Sequence, residues 1–575
     1  MSERARTITE RVERVRSLLA EEGLDGVLVR STDRYLNEYV PAEESTRVWL
    51  TGFTGSMGEA FVTREAAWVA VDGRYYLQAD AEAEGTPFAV EKVPLGTSLS
   101  EAIAGLVRAQ AEGGARRVGY EPDRYTPRAL ADLQRKLEGA EVELVPTQPS
   151  LIERARGPIP EPVAPVRAVP DEAVGRSTAE KVALARPALE RADVQAVVVQ
   201  RLDELAYLTN LRGDDFPFQA TFRGVGLLLR DEVVLATDGA RLPKGLTDAV
   251  QVVAPDAWAD AVAPGSRVGY DPEGTTVAVL QALRARGAEP VELTSPLTAM
   301  KAQKTPAELS AMREAFRRAD RCVEATIAFV AARLDAGERV TESDVAAEIE
   351  RQFRAAGATG LSFRVIAAAG KNGAHIHYSH PDPERAIRPD ELVLLDTGAY
   401  FAEGYATDLT RTFLAGSPAL APKASAEQRR IFTLVLRASI AGMSARLPQG
   451  SRGDQLDALT RAPIWAAGLN FNHGTGHGVG INVHEAPPRV SPQGRPPLEV
   501  GQVFSVEPGL YLPEFGGVRI ENLCTVVEAP DAPGFLDVVP MTFAAMDHRL
   551  IDEDELSPRE KAWLARYLKG EAAFA

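Results

Sequence analysis

The chain has 575 residues, 45% of them apolar and 25% charged, a balance that suits a soluble globular protein with several cores. Its 81 acidic against 64 basic residues leave a formal charge of −17, which repels phosphate backbones and argues against nucleic acid as a general partner. No apolar run reaches the roughly 18 residues of a membrane span, and two cysteines, Cys322 and Cys524, are too few for a disulfide scaffold or a thiolate zinc finger.

Met1 to Gly26 has no apolar core followed by a small-residue cleavage site, so it reads as part of a folded domain, and a reducing cytoplasm is the expected location. Ile8, Val12, Val15, Leu18 and Leu19 recur at helical spacing and predict an amphipathic helix. Pro158, Pro160, Pro162, Pro165 and Pro170 hold the segment Gly157 to Gly175 extended and mark a boundary that closes a first domain. Beyond it a diverged repeat is legible. Asp25-Gly-Val-Leu-Val, Leu50-Thr-Gly-Phe-Thr-Gly-Ser and Val71-Asp72-Gly73 recur in order as Gln195-Ala-Val-Val-Val, Leu208-Thr-Asn-Leu-Arg-Gly-Asp and Thr237-Asp238-Gly239. The two segments are therefore expected to share one α/β fold.

A third region opens with a capping box, Thr305-Pro-Ala-Glu308, followed by Leu309, Met312, Phe316 and Ala319 at helical spacing. A second helix runs from Thr341 to Phe353 and closes at Gly357, and strands are expected at Phe363–Ala368, Leu392–Leu395 and Asp408–Phe413. The pattern then restarts. Ser425-Ala-Glu-Gln428 caps a helix-rich stretch to Gly468, and strands return near Val503–Val506 and Val518–Val527. Two rounds of helix pair and antiparallel strands predict a pseudo-two-fold α/β domain with its site in the cleft between halves.

All seven histidines lie between His375 and His548, which places the chemistry in this third region. His473-Gly-Thr-Gly-His477-Gly-Val-Gly480 sets two histidines at i and i+4, but four glycines make a helix improbable and a close-packed loop the better reading. Asp396 ends an apolar strand, where an unpaired carboxylate would cost several kcal/mol of desolvation, so a cation should face it. Asp408 follows twelve residues later, across an expected hairpin turn at Ala402-Glu403-Gly404. Glu507 and Glu521 add two more acids on apolar strands. With His477 they make an oxygen-rich set with one nitrogen, suited to hard or borderline divalent cations, Mn²⁺ before Zn²⁺ or Co²⁺. The alternative is that each acid pairs with Arg411, Arg519 or another arginine.

Together these residues resemble the pita-bread metallopeptidases, and the chain resembles the long, three-domain Xaa-Pro aminopeptidases over nearly its full length. The motifs that carry the resemblance are Trp49-Leu-Thr-Gly-Phe-Thr-Gly-Ser, Asp72-Gly-Arg-Tyr-Tyr-Leu-Gln, Leu208-Thr-Asn-Leu-Arg-Gly, Ile376-His377-Tyr378, the Asp396, Asp408 and His473 segments, Asn482-Val-His484-Glu485, Glu507-Pro-Gly and Arg519-Ile-Glu521-Asn. The resemblance implies an α/β fold: two tandem creatinase-N-terminal-like domains at 1–157 and 158–303, then a pita-bread catalytic domain at 304–575. It implies two divalent metal ions held by Asp396, Asp408, His477, Glu507 and Glu521. It further implies that His377, His473 and His484 act at the scissile bond and contact substrate, that Arg519 helps to bind it, and that Glu507 doubles as general base. The activity implied is release of the N-terminal residue from peptides with proline second, by a cytoplasmic homodimer. A prolidase restricted to Xaa-Pro dipeptides and a metal-free peptide-binding module are the competing readings. Here the two aspartates are one residue further apart than the family usually has them. A three-residue turn with Gly404 as a bulge would keep both acids on one face; an extra residue in the strand would turn one of them away.

Overall fold

Ser2 caps the helix Glu3–Glu21, whose Ile8, Val12, Val15 and Leu19 are buried as the apolar spacing predicts. The computed structural model describes residues 2–94, 96–246, 249–421 and 423–570. They divide into two compact units. One gathers most of the chain up to Leu297; the other holds Ala168–Arg176, Phe218–Ala220 and the described residues from Thr298 onward.

The first unit contains two six-stranded sheets of one topology. In the first, the order is Phe88–Val93, Ala67–Asp72, Glu59–Thr63, Gly26–Val29, Arg117–Tyr120, Glu143–Pro146; in the second it is Val250–Val253, Val233–Ala236, Val225–Leu229, Ala196–Val199, Arg267–Tyr270, Glu289–Glu292. Parallel and antiparallel pairings also match one for one. The repeated motifs fall at equivalent places: Gly52 and Asn210 each end a helix in the left-handed region, at φ 72° and 54°. A further repeat is Arg-Val-Gly-Tyr at 117–120 and again at 267–270. The turns after these strands bond reciprocally, Arg128 N–H to Pro272 O at 3.2 Å and Ala278 N–H to Pro122 O at 3.0 Å, as a local two-fold relation requires.

The second unit is built in two rounds. The capped helices Pro306–Asp335 and Glu342–Ala355 precede a three-stranded sheet in which Leu392–Thr397 lies between Ile366–Ala369 and Leu409–Leu414. Helices Ala426–Met443 and Gly453–Ala466 then accompany a six-stranded antiparallel sheet, ordered Arg446–Pro448, Phe535–Pro540, Asn522–Glu528, Val503–Val506, Gly476–Gly478, Glu485–Val490. Ile431, Val435, Leu456, Phe504, Val506 and Ile520 are among the buried residues of its core. Both cysteines are buried and free. No described helix is long and apolar enough to cross a membrane.

Two local expectations are corrected. The run Val518–Val527 is not one strand: it breaks at Ile520-Glu521 into Gly516–Arg519 and Asn522–Glu528, because Ile520 N–H turns to Pro508 O and Glu521 N–H to Thr410 O. The turn between the aspartates is also longer than three residues. Tyr400 pairs with Ala406, so Phe401 to Tyr405 form the loop, with Gly404 at φ 67° donating its N–H to Phe401 O. Asp396 pairs with Thr410 and Thr397 with Leu409, a register continuous with the Tyr400–Ala406 bridge. The extra residue thus sits in the loop, and period-two alternation puts Asp396, Asp408 and Thr410 on one face.

Arg411 points to the opposite face and forms no ion pair among the described residues. Its buried guanidinium donates to Ala544 O at 2.8 and 3.0 Å, Thr410 O and Glu521 O at 2.8 Å and Tyr567 Oη at 2.7 Å, tying the edge strand Leu409–Leu414 to the helix Pro558–Tyr567. Arg411→Met should strand these buried acceptors and destabilise the second unit by about 3 kcal/mol. A lowered melting transition checks this; an unchanged one would show that the carbonyls find other donors.

Candidate metal centre

Period-two alternation on the first-half sheet supplies Asp396 and Asp408; the second-half sheet and the loops beside it supply His477, Glu507 and Glu521. Donor atoms of Asp408, His477 and Glu521 all lie within 4.8 Å of one another. His477 Nε2 is 3.4 Å from Asp408 Oδ2 and 3.5 Å from Glu507 Oε1. Its Nδ1 lies 3.2 Å from Gly478 O, which assigns the proton to Nδ1 and turns the Nε2 lone pair toward the carboxylates. The backbone arrives here by close approach: a Cβ at Gly476 would meet Ser505 O at 1.8 Å, and His477 N–H bonds Ser505 Oγ at 3.1 Å.

Arg519 is the cation among these acids. Its Nη2 donates to Asp396 Oδ2 at 2.6 Å, its Nε to Thr410 Oγ1 at 3.1 Å, and its Nη1 to Tyr511 Oη at 2.7 Å and Ile376 O at 3.3 Å. Thr410 Oγ1 in turn donates to Glu521 Oε2 at 2.7 Å. Tyr511 Oη also meets His473 Nε2 at 3.0 Å, while His473 Nδ1 lies 2.7 Å from Gly474 O, so a chain runs from Asp396 through Arg519 and Tyr511 to His473. His473 Nδ1 is 3.9 Å from Glu507 Oε2. His484 packs edge-on to His477, with ring centroids 4.2 Å apart. His377 follows Ile376, whose carbonyl holds Arg519.

The charge balance fits a cation site. Four carboxylates face one guanidinium, and Asp396 Oδ1 is buried with no hydrogen-bond partner among the described residues. Burial, then Asp396 and Glu507, push Asp408 well above the ordinary carboxylate range, and burial with Asp408 and Asp396 does the same to Glu521. Burial and Glu521 push Glu507 up to about 8. Burial opposes the charge on Arg519, yet Tyr511 and the surrounding acids hold it well above the usual arginine range. Carboxylates that resist ionising at neutral pH, with oxygen donors and one imidazole nitrogen converging, fit a site for hard divalent cations.

Residues 11–157 and 158–308 each match the Creatinase/Prolidase N-terminal domain, and residues 310–528 match Metallopeptidase family M24. The chain is 34% identical to the probable Xaa-Pro aminopeptidase P of Neurospora crassa, over 97% of this chain and 84% of that protein. It is 32% identical to the probable Xaa-Pro aminopeptidase P of Aspergillus niger, over 97% and 94%. The chain belongs to the Xaa-Pro aminopeptidase P group of metallopeptidase family M24. Among solved structures it is similar to X-prolyl aminopeptidase from Caenorhabditis elegans, described as a cytosolic enzyme with a di-nuclear active site, at 27% identity and TM-score 0.89 over 98% of this chain and 95% of that one. Dipeptidase PepE from Mycobacterium ulcerans, at 26% identity and TM-score 0.52, spans 98% of its own chain and 66% of this one.

Thr410 and Tyr511 were not singled out from the sequence of this M24 chain. Thr410 was within reach of it, two residues after Asp408 on the same strand face; nothing local marks Tyr511. A consequence of the raised acids can be measured. Because Glu507 holds its proton at pH 7, Mn²⁺ titrated into chelator-treated protein should release protons, and less so above pH 9. Calorimetric heats that depend on the buffer's ionisation enthalpy are expected; heats independent of buffer would mean the acids are already ionised.

Proposed function

We propose that the chain is an Xaa-Pro aminopeptidase that removes the first residue of peptides with proline in second position. The observation that carries this reading is the enclosed set of four carboxylates and one imidazole, with Asp396 Oδ1 unpartnered among the described residues, in a chain whose likeness to aminopeptidases runs over nearly its full length. Asp396, Asp408, His477, Glu507 and Glu521 would hold two divalent ions, Mn²⁺ before Zn²⁺ or Co²⁺. When bound, the ions supply Lewis acidity at the scissile carbonyl and acidify water.

This chain's own residues do the rest. Thr410 and Arg519 fix the orientation of Glu521 and Asp396. Glu507 is the proposed general base: its side chain is 19% exposed, against 5% for Asp408 and 12% for Asp396, so it opens most toward an incoming peptide. His377 and His484 are the proposed donors to the carbonyl oxygen and the leaving nitrogen. That nitrogen leaves as proline's secondary amine, so the proton taken from the attacking water has to be passed on to it by a group within reach. His473 holds Tyr511, and through it Arg519, in place. The boundaries 1–157, 158–303 and 304–575, a cytoplasmic location and a homodimer belong to the same proposal. Likeness to a dipeptidase leaves a third of the chain unmatched, and this favours the aminopeptidase over the prolidase reading.

Dialysis against a chelator should abolish cleavage of an Xaa-Pro-Xaa tripeptide and Mn²⁺ should restore it, with Xaa-Pro dipeptides cleaved poorly. Full activity after chelation would sink the metal-dependent reading, and preference for dipeptides would replace it with a prolidase. Asp408→Asn should lose bound metal and at least about 100-fold in turnover. Two ions per chain retained in that variant would place Asp408 outside the ligand set.

A further inference from the structure

We propose that Arg461, paired with Asp457, is a positioning residue that sets the loop bearing His473 and, through it, both ends of the site; the inference rests on the aminopeptidase reading above. The two residues lie one turn apart on the helix Gly453–Ala466 and are buried, 1% and 2% exposed. Arg461 Nε bonds both Asp457 oxygens at 2.9 Å. Its other donors leave the helix. Nη1 reaches Phe471 O at 2.8 Å and Asn470 Oδ1 at 3.2 Å, Nη2 donates to His473 O, and the guanidinium lies 3.8 Å over the Phe471 ring. Asp457 Oδ1 also accepts Thr475 Oγ1 at 2.6 Å. One ion pair thus grips the loop at Phe471, His473 and Thr475.

From these points the coupling runs into the site along two paths. Thr475 O accepts the N–H of Glu507 at 2.8 Å, so the loop sets the height of that carboxylate. His473 Nε2 meets Tyr511 Oη, which receives Arg519 Nη1, and Arg519 holds Asp396. The loop runs through Gly474 and Gly476, which give the backbone little stiffness of its own. Net stability is a poor account of the pair, since a buried ion pair is often no better than packed apolar side chains. What it supplies is direction: the planar fork aims donors at fixed angles toward two carbonyls, and lysine cannot reproduce that.

The experiment uses Arg461→Lys, which keeps the charge beside Asp457, and Thr475→Val, which removes one hydroxyl and keeps the fold should the first variant unfold. With metal content at the wild-type value, kcat for the proline peptide should fall about 10- to 100-fold in Arg461→Lys, with KM little changed and Thr475→Val smaller in the same direction. In a Tyr511→Phe background Arg461→Lys should cost less than it does alone, since one of its two paths runs through Tyr511. Histidine ring resonances of ¹³C-labelled protein give a readout independent of turnover: that of His473 should shift in both variants while that of His548 stays. Should the wild type fail to cleave the peptide, the function reading falls, and the His473 resonance alone decides this proposal. An unmoved His473 signal, or full additivity with Tyr511→Phe together with an unaltered kcat in Thr475→Val, would reduce the pair to a helix brace and overturn it.

Discussion

Four carboxylates gathered around one guanidinium, away from bulk water, set the terms for the rest of the second unit. Two like charges 4 Å apart repel by about 4 kcal/mol at the effective dielectric of a protein site, so such a cluster survives folding only with protons or cations between its members. The chain supplies Arg519 as a single fixed positive charge and spends it on Asp396. Asp408, Glu507 and Glu521 are left to hold protons or a metal, and their reluctance to ionise is the electrostatic trace of that choice.

The scaffold answers by division of labour. Asp396 ends one strand and Asp408 directly precedes its antiparallel neighbour, so a single register fixes their relation; the other acids and His477 come from the second round of the fold. Neither half carries a complete site. Thr410 and Arg519 stitch them together, the first across to Glu521 and the second across to Asp396, and the backbone bond from Glu521 N–H to Thr410 O closes the seam. The interruption of the strand at Ile520-Glu521 belongs to this design: a continuous strand would have spent the Glu521 N–H within its own sheet.

The first unit shows a different economy. Two copies of one six-stranded topology contain none of the seven histidines, and their reciprocal turn bonds join copy to copy. Duplication was legible in the strand and helix-end motifs, and more sharply in the repeated Arg-Val-Gly-Tyr segment, because residues that end a helix in the left-handed region or thread a buried parallel strand tolerate few replacements.

The sequence by itself determined the element types, the repeat, the capped helices and the chemical character of the centre, since these rest on local periodicity, capping geometry and the cost of placing an acid on an apolar strand. It also named five converging residues, from their order and surroundings. Only the tertiary structure decided which arginine meets which acid. Arg411 and Arg519 look alike in sequence, yet one gives its donors mainly to backbone carbonyls and the other to Asp396, because alternation turns Arg411 away from the face that carries Thr410 while Arg519 reaches that face from another strand. The loop length at Phe401 to Tyr405 was likewise decided by a distant register rather than by the turn residues themselves. Tyr511 and Arg461 could not be read at all: each matters through partners dozens of residues away or across a helix-to-loop gap, and hydrogen-bond direction across such a gap leaves no periodic mark on the chain.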